Sequence, residues 1–279
     1  MVSIRLDFFI LGAQKAGSSW LADQLRSHPE VFLPDNEIHF FENDANFARG
    51  QGWYVKHFNR AQPDQLIGEK TPSMFIEDAE GRVRPIPQRL FQANPNMRLL
   101  VVLRDPIARA VSALRHHMWQ RRLSPNTHVA DLLLGRQAAE ARAWGVLEQG
   151  LYHRQLSYVW DVFPEKQVAV WIFEEDVVQR AQAMLHEVHD FLGLSAPTGA
   201  GQVSLSRNRS AATRSCLTAN YFLPSLGPVW QVMDRVAPGP VVDIPASAKA
   251  DLRDFYRDDI KALERALGRS LDIWDAATD

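Results

Sequence analysis

The sequence predicts an α/β fold, a central parallel sheet flanked by helices. Three observations carry this. Short apolar runs at residues 8–11, 66–68, 99–103 and 168–173 are each bounded by turn or charged residues, the pattern of strands buried on both faces. Stretches of helical period stand between them, so strands alternate with crossover helices. The chain, 279 residues and 46% hydrophobic, is long enough to bury a sizeable core and is read as one domain over 1–279.

The elements follow in order. The first run, Phe8-Phe9-Ile10-Leu11, ends at Gly12, and a helix over 18–27 sets Trp20, Leu21 and Leu25 on one face. Gly12 and Gly17 bracket four residues, and Ser18 and Ser19 follow. This is the G-x-x-x-x-G skeleton of a nucleotide-binding P-loop, except that Ser18 stands where the P-loop lysine belongs and Lys15 lies inside the loop. A strand, a glycine loop and a helix start make an anion site from backbone N–H groups and the helix dipole, to which Lys15 adds a movable charge. The plain alternative is an ordinary βα turn with a solvated lysine.

The run 66–68 leads into "GEKTP", which sets Lys70 at the carboxyl end of a strand. The run 99–103 ends at Arg104. Asp105 then reads as an N-cap and Pro106 as the first position of a helix over 106–120, with Ser112 eight residues past the arginine. Open α/β sheets bind ligands at the carboxyl ends of their strands, where an arginine fork and a hydroxyl suit a phosphate; a structural ion pair of Arg104 with an acid at the sheet edge is the competing reading. Further helices are expected over 130–142, 151–163, 175–192 and 246–267, and surface loops at 196–201 and 238–245. In "PDNEIHFFEND", residues 34–44, an extended backbone would turn Glu37 and His39 to one side. A carboxylate beside an imidazole can take a proton from a hydroxyl. Phe40 and Phe41 would anchor this segment to the core.

Charge and cysteine content bound the partners. A net charge of −2 leaves no general polycation for nucleic acid. One cysteine, Cys216, excludes an intrachain disulfide framework and fits a reducing compartment. The apolar run near the amino terminus is too short for a membrane span and meets a glycine loop instead of a cleavage site. The expectation is a cytoplasmic protein without stable membrane insertion. Nothing in the sequence sets its oligomeric state.

Taken in this order the segments resemble the sulfotransferases that use 3′-phosphoadenosine-5′-phosphosulfate (PAPS), most closely the heparan sulfate sulfotransferase branch and its bacterial relatives. "GAQKAGSSWL" resembles the 5′-phosphosulfate loop, and "LRDPIARAVS" the 3′-phosphate motif. "NEIHFF", "GWY", "EKTP" and "LYHRQLSYVWDVFP" follow in family order. The resemblance implies a P-loop-kinase-like sulfotransferase fold. It implies a donor loop of Ala16, Gly17, Ser18, Ser19 and Trp20, with both serines on the 5′-phosphate and Lys15 at the bridging region, stabilising charge on the leaving phosphate. It assigns Arg104 and Ser112 to the 3′-phosphate, Glu37 to the general base, Lys70 to the reacting centre and His39 to the acceptor side. Other branches use histidine as base, so Glu37 and His39 both stand as candidates. Arg214 or Arg209, in a stretch that also holds Arg207, would close over the nucleotide, and Trp53 and Tyr54 would face the acceptor. The acceptor is a hydroxyl of a small molecule, lipid or carbohydrate, and no metal is implied. The heparan enzymes carry a membrane anchor and a carboxy-terminal disulfide that this sequence lacks, so a long extracellular glycan is not the expected acceptor. A nucleotide kinase or NTPase on the same fold, and a non-catalytic adenine-nucleotide-binding protein, are the competing functions.

Overall fold

All four apolar runs form parallel strands, joined by a fifth strand of two residues. A computed structural model describes residues 5–72, 83–135, 138–195, 213–236 and 239–276. The strands are β1 (Phe8–Gly12), β2 (Val31–Phe32), β3 (Leu66–Lys70), β4 (Arg98–Leu103) and β5 (Val168–Ile172). They lie in the order β2-β3-β1-β4-β5, every neighbour parallel. β1 is buried at all five positions and sits centrally, as its unbroken apolar character requires. β3 and β4 flank it, so the carboxyl ends of β3, β1 and β4 lie side by side.

The described residues group into two compact units. The first, drawn from residues 1–77, 81–104 and 154–206, holds the sheet. Its core packs Phe8, Ile10, Leu100 and Val102 of the strands against Trp20, Leu21 and Leu25 of the Ser18–Arg26 helix and Met184, Val188 and Leu192 of the Ala181–Leu192 helix. The second, drawn from residues 78–80, 105–153 and 207–279, is helical. Its core joins Ile107, Leu114 and Met118 of the Pro106–Trp119 helix to Leu252 and Tyr256 of the Ala246–Leu267 helix. Asp105 caps the Pro106–Trp119 helix through Ala108 N–H at 2.5 Å, with Pro106 in its first turn. Arg109 is fully buried in this unit and donates to the Val146 carbonyl.

Several elements depart from the sequence expectation for local reasons. The 130–142 stretch is two helices, Val129–Leu133 and Ala138–Ala143. The 175–192 helix starts only at Ala181, and the run expected to continue as strand to 173 turns one residue earlier. There the buried Asp176 carboxylate accepts from Ile172 N–H at 2.5 Å and from Arg180 Nε at 2.8 Å, folding Phe173–Val177 into a π-helical turn. The helices Ile86–Ala93, Arg214–Phe222 and Gly227–Val236 were not expected. Within 238–245, Val241 bridges Thr213. The 196–201 loop lies outside the described residues. Among the described residues no helix is long and apolar enough to cross a membrane.

Gly68 shows how tightly the sheet is set. It pairs with Phe8, and a Cβ there would stand 2.0 Å from the Phe8 ring. Gly68→Ala should therefore lower stability by about 1–3 kcal/mol through overpacking, read as a lower urea midpoint. Adding Phe8→Leu should recover part of the loss. An unchanged midpoint in the single variant would refute this account of the glycine.

Candidate active site

The glycine loop leaves β1 and enters the Ser18–Arg26 helix at Gly17, whose φ of 100° lies in the left-handed region. A Cβ on Gly17 would also come 2.8 Å from the Phe173 ring, so glycine is required here by conformation and by space. The helix start has no side-chain cap. Its leading N–H groups are therefore available to an anion. Ala16 and Ser18 are buried and Ser19 is half-buried; Trp20 packs into the core of the first unit.

Two residues of the site hold left-handed backbone without being glycine, Lys15 (φ 68°) and His39 (φ 56°). The carbonyl of each is held by a side chain from elsewhere. Arg104 Nη1 donates to Lys15 O at 3.2 Å, and Asn46 Nδ2 donates to His39 O at 2.9 Å. Such conformations persist only where the surroundings over-determine them. Arg104 also lies 3.8 Å from the Glu174 carboxylate and 5.1 Å over the Phe173 ring. Phe173 thus meets both the loop glycine and the arginine.

Lys70 joins the loop to the acidic segment. Its ammonium donates to Ser19 Oγ at 3.0 Å and pairs with Glu37 Oε1 at 2.8 Å. The other oxygen of Glu37 lies 3.5 Å from His39 Nε2, while His39 Nδ1 donates to Glu42 Oε1 at 2.6 Å. The extended geometry expected for 37–39 is not what brings these groups together: the left-handed turn at His39 does. Glu42 holds His39 above the usual imidazole range by this hydrogen bond. Burial, then the charges of Arg104 and Lys70, hold Lys15 below the usual lysine range.

Glu42 was not singled out in the sequence, although its place three residues after His39 was the available signal. Glu69 stands immediately before Lys70 in the same "GEKTP" run, where the sequence carried no signal of a role for it. It is 1% exposed, accepts from the Tyr54 hydroxyl and from Thr71 Oγ1 at 2.8 Å, and burial pushes it up to about 7. Tyr54 itself is fully buried, which corrects the expectation that it faces an acceptor: its ring packs on Phe40 and Phe41, and its hydroxyl needs a buried partner. Trp53 is half-buried, stacked on Phe40 with the Arg49 guanidinium 4.1 Å over it.

Lys15, Ala16, Gly17, Ser18, Ser19, Trp20, Glu37, His39, Lys70 and Arg104 all belong to the first unit. Ser112 and Arg214 belong to the second. Ser112 is half-buried on the Pro106–Trp119 helix, and Arg214 opens the Arg214–Phe222 helix and donates to the Pro125 carbonyl at 2.7 Å. Arg207 and Arg209 lie outside the described residues. Among the described residues no group of three or more His, Cys, Asp or Glu is arranged to hold a metal.

Known proteins resemble this chain in sequence and in fold. Heparan sulfate glucosamine 3-O-sulfotransferase 5 of Mus musculus is 38% identical over 103 residues, 37% of this chain and 28% of that protein. Heparan sulfate glucosamine 3-O-sulfotransferase 6 of Homo sapiens is 31% identical over 185 residues, 66% of this chain and 51% of that protein. The chain therefore spans about half the length of such curated relatives or less. The crystal structure of a sulfotransferase from Alicyclobacillus acidocaldarius superposes with a TM-score of 0.69 at 23% identity, covering 97% of this chain and 99% of that one, which establishes the sulfotransferase fold. The sequence model of the sulfotransferase domain matches residues 5–221, and on that match the chain belongs to the sulfotransferase family.

Proposed function

We propose that this chain transfers a sulfuryl group from PAPS to a hydroxyl of a small-molecule, lipid or carbohydrate acceptor, with Glu37 as general base. One observation carries the reading: the Lys70 ammonium touches both Ser19 of the anion loop and the Glu37 carboxylate. A proton acceptor thus stands at the mouth of an anion site, where the attacking hydroxyl and the transferred group must meet. Glu37 takes the acceptor proton as the acceptor oxygen bonds to sulfur and the bond from sulfur to the 5′-phosphate oxygen breaks. Lys15, the serines and the helix N–H groups stabilise the charge that develops on the leaving phosphate. The products are a sulfate ester, adenosine 3′,5′-bisphosphate (PAP) and a proton. His39, held above its usual range and tied to Glu42, is better suited to orienting the acceptor than to taking its proton.

Arg104 is assigned to the 3′-phosphate, and Ser112 and Arg214 keep the nucleotide roles that the motif resemblance gives them. The whole chain is read as one sulfotransferase domain, since the family match runs through residues of both units. A cytoplasmic location belongs to the same reading and rests on the single, buried Cys216. The curated relatives are named for a glucosamine hydroxyl, so aminosugar alcohols come first among acceptors to test. The reading fails if ³⁵S-labelled PAPS gives no labelled ester with an alcohol panel in EDTA while Mg·ATP supports phosphoryl transfer; that outcome would make the chain a kinase.

Three variants divide the roles. Lys15→Ala should lower kcat by about 10²–10³ while weakening PAP far less, the usual effect of losing one stabiliser of developing charge. Near-native turnover would remove Lys15 from that role. Glu37→Gln should bind PAP normally and lose most transfer; if His39→Ala is the dead variant and Glu37→Gln is active, the base is His39. Arg104→Ala should weaken PAP by roughly tenfold to a hundredfold, a charged hydrogen bond being worth about 1.5–3 kcal/mol, and adenosine 5′-phosphosulfate much less. Equal losses in calorimetry would reduce Arg104 to a brace for the Lys15 carbonyl.

A further inference from the structure

We propose that Glu69 is a positioning residue, which holds Lys70 and the Glu37-bearing segment in register by binding the Tyr54 and Thr71 hydroxyls at once. The inference rests on the functional reading above only for what that register serves. Its geometry is a closed ring of contacts. Glu69 and Thr71 flank Lys70 in the chain, and the bond from Thr71 Oγ1 to Glu69 Oε1, 2.8 Å, clamps the backbone from which the Lys70 side chain departs. Glu69 Oε2 accepts from the Tyr54 hydroxyl. The Tyr54 ring stacks on Phe40 at 4.4 Å and meets Phe41 edge-on at 5.3 Å, and both phenylalanines follow His39 in the segment that carries Glu37. Glu37 then closes on Lys70 at 2.8 Å. Among the described residues no other hydrogen bond runs from residues 54–58 to β3.

The chemistry of the position points the same way. A carboxyl buried this completely is costly, and an apolar residue of similar size would serve packing alone as well or better. Its neighbour across the sheet is the buried Phe9, which meets Phe41 edge-on at 5.8 Å, and Phe40 and Phe41 pack on the ring of its Tyr54 partner. The polar and charged groups that face it are the Tyr54 and Thr71 hydroxyls, with Glu42 and His39 of the acidic segment acting through space. Burial raises Glu69 and the two hydroxyl donors lower it, leaving it at about 7. Its charge in turn helps hold His39 protonated. Loss of the Glu69 proton therefore strengthens both hydroxyl bonds and favours the charged form of His39.

The test uses the full chain with Glu69→Gln, Tyr54→Phe and the double variant. Glu69→Gln keeps the shape of the side chain, and Tyr54→Phe keeps the aromatic stack. Each single variant should bind PAP as the wild type does and lower kcat by tenfold or more, and Glu69→Gln should displace the limb of the kcat–pH profile near neutrality. The double variant should be no worse than the poorer single one, because both remove the same link. Independently of turnover, pulsed reductive methylation read by mass spectrometry should label Lys70 several-fold faster in each variant, as its contacts with Glu37 and Ser19 loosen. Unchanged Lys70 labelling overturns the proposal, as do additive losses in the double variant or a wild-type pH profile in Glu69→Gln. If the wild type transfers sulfuryl to no acceptor, the functional reading fails while the labelling still decides Glu69.

Discussion

Three cations gather at the carboxyl ends of three adjacent strands, and most of the site's structure answers to their mutual repulsion. Lys70 ends β3, Lys15 follows β1 and Arg104 follows β4, so the sheet order itself brings them together. Two like charges about 4 Å apart repel by on the order of 4 kcal/mol at an effective dielectric near 20. Glu37 offsets Lys70 and Glu174 partly offsets Arg104. Burial first, and then the charges of Arg104 and Lys70, loosen the proton of Lys15, against a smaller opposing pull from Glu37. The sign for stability follows. A lysine depressed in the folded state is more protonated when unfolded, so its contribution to stability rises with pH from its folded pKa up to the ordinary lysine value. An anion in the loop reverses the shift, which couples ligand binding to folding.

The repulsion is contained by rigid parts. Phe40, Phe41 and Tyr54 pack the acidic segment on Phe9 of β1, and the Phe173 ring lies close against Gly17 of the glycine loop. The two left-handed residues, Lys15 and His39, are the points where the backbone departs most from what L-residues prefer. Each is secured by a donor to its own carbonyl. Backbone strain and crowded charge therefore coincide at the residues assigned to chemistry, and the sheet and aromatic packing carry the cost.

How much of this was legible depended on the range of the interaction. The buried strands β1 and β4, the half-buried β5, the loop glycines and the Asp105–Pro106 helix start are written in adjacent residues, and the sequence shows them plainly. The two-residue β2 has no period to detect. The break before Ala181 arises because Asp176 turns back on Ile172, a choice that composition does not reveal. Glu37 and His39 were readable as a pair, but the turn that joins them was not, since a positive φ at a histidine is set by Asn46 from outside. Tyr54 and Glu69 lie 15 positions apart in different elements, and only the folded packing shows that each is the other's partner.

The loosened proton on Lys15 has a chemical corollary. An amine that is neutral more of the time is a better nucleophile, and buried lysines in other settings are recruited for covalent chemistry on that account. Under the proposed function Lys15 sits in the loop that receives the adenosine 5′-end of the donor, beside the cations Arg104 and Lys70. An adenosine bearing a sulfonyl fluoride or aryl ester at that end would be delivered to the amine by the same forces that hold the donor. The crowding of charge that favours group transfer thus also marks the residue where an irreversible inhibitor should be anchored.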